Sequence, residues 1–82
     1  MSANIKRLDK LGLNESAVVH SIEGGHGVTG RLNSMGLHPG VTVSIVSMQP
    51  ARGPVVVQVG GANRLALGRG IARKVMVEVK SK

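Results

Sequence analysis

Aliphatic and polar residues alternate with a period of two in three stretches of the chain: Val41, Val43 and Ile45; Val55, Val57 and Val59; and Val75, Val77 and Val79. Side chains two apart share one face of a strand, so each stretch predicts a half-buried strand with one apolar face. Ala17 to Ile22 is a β-branched run that ends at Glu23-Gly24-Gly25, where paired glycines permit a turn with positive φ, and it predicts the first strand. Leu65 and Leu67, after the tight-turn signal Gly60-Gly61, predict a short fourth one.

Between Gly27 and Met35 the period changes. Val28, Leu32 and Met35 recur at four and three residues and share one helical face, which predicts a helix with that face in the core. Gly36 fits the left-handed residue just past the helix end, and Leu37 behind it can pack on Leu32 in a Schellman arrangement. His38-Pro39-Gly40 then makes a stop and tight turn. The turn formers of Gln49 to Pro54 join the strands on either side into a hairpin. Gly68 to Arg73 is too rich in glycine for a long helix and reads as a single turn, while Ile5 to Leu11 reads as one turn or an extended lead-in. Five short strands with one helix early in the order predict a mainly β fold, a small and partly open barrel.

Composition narrows the function. The 82 residues allow one domain and one modest core, and with no Phe, Tyr or Trp that core is built of branched aliphatics. The absence of cysteine removes disulfides, thiolate metal sites and thiol nucleophiles together. The longest aliphatic stretch, Val55 to Val57, is far short of the ~20 apolar residues that span a bilayer. Lys6 and Arg7 are followed by no apolar run of a secretory signal, so a soluble, cytoplasmic chain is expected. The formal charge of +7, from 11 Lys and Arg against 4 Asp and Glu, suits acidic surfaces, nucleic acid or anionic head groups. Single-strand binders add aromatic platforms on which bases stack, and this chain has none.

Few residues could carry chemistry. No carboxylate pair or Ser-His-Asp order can be assembled from so few acids, so the chain is not expected to be an enzyme. His20, Glu23 and His26 have the residue types of a ferrous site, but in a continuing strand His20 and Glu23 would face opposite sides, so they are weak metal candidates. Gly24 to Gly27 precedes the helix without the Lys-Ser/Thr element of a nucleotide loop and is read as a strand-to-helix connection. Arg64, Arg69, Arg73 and Lys74 predict a basic rim at one end of the barrel.

The string Arg31-Leu32-Asn33-Ser34-Met35-Gly36-Leu37-His38-Pro39-Gly40 is an Arg-Leu helix end followed by Gly, an aliphatic residue, a variable one and Pro-Gly. It resembles the signature of the FeoA family. Gly53-Pro54-Val55-Val56-Val57 is similar to that family's third strand and Leu65-Ala66-Leu67-Gly68-Arg69-Gly70-Ile71-Ala72 to its closing turn, so the resemblance runs in order from about Leu8 to Val79. Leu13-Asn14 stands where the family often has Pro-Gly, and Asn tolerates the left-handed conformation such a turn needs.

The resemblance implies a five-stranded SH3-like barrel over residues 1–82, a fold also used as the C-terminal domain of some metal-dependent repressors. It implies a non-enzymatic accessory or regulatory protein of a ferrous iron transport system, one that binds the cytoplasmic, GTPase-bearing part of a FeoB-type membrane permease. Arg31, Leu37 and His38 beside the helix end, with Arg64 and Arg69 on the basic rim, are the expected partner surface. No cofactor is required on this reading, and iron or another divalent metal would bind only transiently. Neither specific nucleic acid nor membrane insertion is expected, while an open barrel edge could pair with a second copy. Competing expectations are a metal-sensing regulatory small barrel and a nucleic-acid-binding one.

Overall fold

The structure is a computed structural model that describes residues 4–48, 53–61 and 63–79. Its strands are β1 (Asn4–Arg7), β2 (Ser16–Ile22), β3 (Thr42–Met48), β4 (Val55–Val59), β5 (Asn63–Leu67) and β6 (Val75–Val79). A 3-10 turn, Leu8–Lys10, follows β1, helix α1 (His26–Ser34) joins β2 to β3, and a four-residue helix α2 (Arg69–Ala72) joins β5 to β6. All strand pairs are antiparallel, and the sheet order is β1-β6-β2-β3-β4-β5. The expected barrel is therefore mainly β, but with six strands among the described residues rather than five. The lead-in supplies the extra one, because Asn4 to Arg7 extend along Val79 to Met76 of β6 before the chain turns at Leu8.

The predicted alternation is what the sheet buries. Val55, Val57 and Val59 of β4 and Val75 and Val77 of β6 point inward, against Val43 and Ile45 of β3. Each fully buried side chain of this size contributes ~1.5–3 kcal/mol of transfer free energy. No polar or charged side chain is buried among the described residues, so no desolvated side-chain polar group is set against that gain. Two bulges interrupt the ladders: His20 is the unpaired extra residue of β2 between Val19 and Ser21, and Val46 that of β3 between Ile45 and Ser47. A bulge bends its strand and increases its twist, which helps a small sheet to curl over its own inner face.

Helix α1 ends as the sequence predicts. Gly36 has φ +92°, its N–H donates to the Asn33 carbonyl at 3.0 Å, and the Leu37 N–H donates to the Leu32 carbonyl at 2.9 Å. These are the two bonds of a Schellman motif, and its usual apolar contact places Leu37 against Leu32 in the core. One expectation for this segment fails. Met35 is 38% exposed and Leu37 0%, so the residue assigned to the core faces solvent and the residue assigned to the surface is buried. Met35, the C-cap of α1, stands at the outer margin of the helix face, whereas the Schellman turn past it carries Leu37 back onto the core. Asn14 takes the left-handed conformation, φ +66°, and its N–H donates to the Ile45 carbonyl at 3.0 Å.

Candidate functional site

Two grooves on the described surface bear on function. The larger, of about 460 Å³, is walled on one side by Gly27, Val28, Arg31, Leu32 and Met35 of the α1 segment and on the other by Ala66, Leu67, Gly68 and Ile71. Residues 28, 31, 32 and 35 stand one above the other on a helix, which explains how a nine-residue element supplies a whole wall. Among the described residues the lining is apolar apart from Arg31, its one ionisable side chain. Leu32 and Leu67 form a floor continuous with the core, whereas Met35 and Ala66 stand open to solvent. Among the described residues Arg31 makes no ion pair; its carbonyl accepts the Ser34 hydroxyl at 2.8 Å.

The smaller groove, of about 360 Å³, is lined by Arg7, Asp9, Arg69 and Arg73. Here two of the three arginines are tied down. Arg7 is paired with Asp9 through Nε to Oδ1 at 3.0 Å and Nη2 to Oδ2 at 3.4 Å, a two-point contact that fixes the guanidinium plane. Arg69 Nε donates to the Gly53 carbonyl at 2.9 Å, linking the start of α2 to the chain before β4. The groove is a basic rim with one carboxylate set into it.

The five expected partner residues do not form one site. Arg31 stands on the apolar groove and Arg69 on the basic one. Leu37 is withdrawn from the surface altogether, a correction that follows from the Schellman contact. His38 is exposed in the turn after α1, with Nδ1 3.0 Å from the Pro39 carbonyl, and Arg64 is exposed on β5 opposite Gln58. Lining neither groove, both lie on open surface. His20, Glu23 and His26 are all exposed, and among the described residues no group of three His, Asp or Glu side chains could hold a metal ion. The sequence reading missed Met35, Ala66 and Ile71 as groove residues, and Arg7 with Asp9. For the pair a signal existed, since an Arg and an Asp two apart at the end of an extended segment can meet on one side. No described helix is long and apolar enough to cross a membrane.

Comparison with known proteins gives a consistent answer. The family model described as FeoA domain matches residues 6–79. A Methanocaldococcus jannaschii protein described as Fe(2+) transport protein A is 41% identical over 64 residues, spanning 78% of this chain and 74% of that protein. The crystal structure of an iron uptake regulatory protein, FeoA, superposes with a TM-score of 0.82 at 39% identity, covering 92% of this chain and 97% of the other. Stenotrophomonas maltophilia FeoA, solved in complex with zinc and described as an SH3 domain protein, superposes with a TM-score of 0.74 at 36% identity over 87% of each chain.

Proposed function

Since this chain belongs to the FeoA family of ferrous iron transport accessory proteins, we propose that it works by binding, without catalysis, to the cytoplasmic GTPase-bearing part of a FeoB-type ferrous iron permease. The observation that carries this reading is the apolar groove with its single arginine. A groove of apolar walls and one charge with no counter-ion among the described residues offers a partner both area to bury and one oriented pairing. The residues on hand support binding, because no acid, base or nucleophile is among the described residues that line that groove. The nucleotide chemistry then belongs to the permease, and the small barrel acts in the cytoplasm as a rigid scaffold for a recognition surface.

The reading requires no resident metal. Zinc accompanies the Stenotrophomonas maltophilia relative, whereas the candidate ligands of this chain lie apart on exposed positions.

The test is binding to the purified cytosolic domain of the permease, by calorimetry or pull-down. Arg31→Glu is expected to weaken binding at least about tenfold, equivalent to about 1.4 kcal/mol, with an unchanged circular-dichroism melt. If Arg31→Glu binds normally while Arg69→Glu with Arg73→Glu abolishes binding, the partner surface is the basic groove and this assignment is wrong.

A further inference from the structure

The apolar groove meets the free edge of a strand at that strand's C-terminal end, and that changes what it can hold. β5 ends the sheet, with β4 on one side and no described strand on the other. Consecutive residues of a strand point to opposite faces. A depression in one face of β5 would therefore be lined by alternate residues. This groove is lined by two successive strand residues, Ala66 and Leu67, and by Gly68 just past the strand, which puts it at the edge of the strand's C-terminal end.

The direction of the edge amides follows from one hydrogen bond. The Gly60 N–H donates to the Thr42 carbonyl at 2.9 Å, one step beyond the paired Val43 and Val59. Thr42 and Gly60 are thus a bonded pair of the β3–β4 ladder, so Val59 turns its own N–H and C=O the other way, toward β5. Val59 lies opposite Asn63, Val57 opposite Leu65 and Val55 opposite Leu67. Asn63, Leu65 and Leu67 accordingly exchange bonds with β4, and Arg64 and Ala66 direct their N–H and C=O groups away from the sheet.

We infer that an extended segment of the partner adds as a strand to the free edge of β5, bonded to the backbone of Arg64 on open surface and of Ala66 where the edge enters the groove. This deepens the permease-binding reading and rests on it. Alternate aliphatic side chains of such a segment would enter between α1 and β5, onto Val28, Leu32, Leu67 and Ile71, and a carboxylate would meet Arg31. Charge selects this occupant over a second copy of the chain. Arg31 in the groove and Arg64 on the strand both ask for an acidic segment, and this protein, at +7 with 4 acids, offers few.

Proline separates the edge from the ladder. Ala66→Pro removes an outward N–H and leaves the bonds to β4 in place, whereas Leu65→Pro removes an inward one and is the unfolding control. The probes are the permease cytosolic domain and short overlapping peptides tiled across it; the readouts are affinity and residue-resolved amide exchange. Slowed exchange at Arg64 and Ala66 in the unmodified protein, with at least about tenfold weaker binding by a folded Ala66→Pro, is the expected result. Domain binding that is sensitive to Arg31→Glu but leaves both amides exchanging as before, with Ala66→Pro binding normally, overturns strand addition and keeps the permease reading. A tiled peptide that protects both amides while the whole domain does not bind keeps strand addition and sinks that reading. Failure of domain and peptides alike sinks both, and protection of the two amides by self-association alone makes a second copy the occupant and overturns the inference.

Discussion

Both grooves contain arginine, and they differ in what the arginine already touches. In the basic groove Arg7 is held by Asp9 and Arg69 by the Gly53 carbonyl, so those guanidiniums join one part of the chain to another. In the apolar groove Arg31 has aliphatic neighbours and no ion pair among the described residues. An internal pair has spent its charge on the fold, and a surface pair of this kind contributes about 0–1 kcal/mol. An unspent charge beside apolar walls gains far more when an occupant displaces water, because the same attraction then acts across a lower dielectric. Which arginine a partner reads is decided by neighbours rather than by the number of cations nearby.

The most drastic way to break this contrast is to remove the floor of the apolar groove. Leu32 is 3% exposed, and Leu32→Asp puts a carboxylate where no described polar group is buried, so a cooperative melt by circular dichroism is expected to vanish. A variant that still melts cooperatively would separate the groove from the core. A finer cut compares the two residues that flank Gly36. Leu37→Ala is expected to cost ~2–5 kcal/mol in urea unfolding and Met35→Ala under about 1 kcal/mol, with the reverse order contradicting the burial described above.

On the basic side the expected effects are smaller. Asp9→Asn releases Arg7 and is expected to lower stability by about 1 kcal/mol at most, since the Arg7 side chain is 39% exposed and screened by water. Arg73→Glu is expected to reduce a weak, sequence-independent association with DNA that already collapses as salt rises. Nanomolar, sequence-selective binding at physiological salt would instead make the basic groove the functional one. The smallest effect is expected for metal. Zinc or ferrous iron should leave the thermal midpoint nearly unchanged, and a stoichiometric rise abolished by His20→Ala with His26→Ala would reveal a site that the separate positions of these residues do not suggest.

Much of the fold was legible because its signals are local. Period-two valines mark β3, β4 and β6, and the helix end was readable down to the left-handed Gly36, because a Schellman motif is specified by a handful of adjacent residues. β1 was not. Asn4-Ile5-Lys6-Arg7 has no apolar alternation and becomes a strand only through pairing with β6, more than 60 residues later. The bulges at His20 and Val46 depend in the same way on which residues lie across the ladder. Arg31 was legible as the surface residue of an apolar helix, but its groove was not. Ala66 and Ile71 carry no signal of their own and matter only because the fold brings β5 and α2 opposite α1. Leu37 drew two incompatible expectations, packing on Leu32 and facing a partner, and the capping bonds decide for packing.

The free edge of β5 has a further consequence for how the protein behaves at high concentration. An unpaired strand edge is a template for polymerisation, and sheet proteins commonly guard theirs with a cation. Arg64 occupies that position here, exposed on the strand whose outer side no described strand covers. Two molecules aligning these edges would bring one Arg64 toward the other, and like charges facing each other across strands oppose the pairing. The guard is electrostatic and therefore only as good as the solvent allows. Added salt shortens its reach to about 3 Å at 1 M, so concentrated stocks of this protein should stay monomeric at low ionic strength and grow turbid as salt is raised.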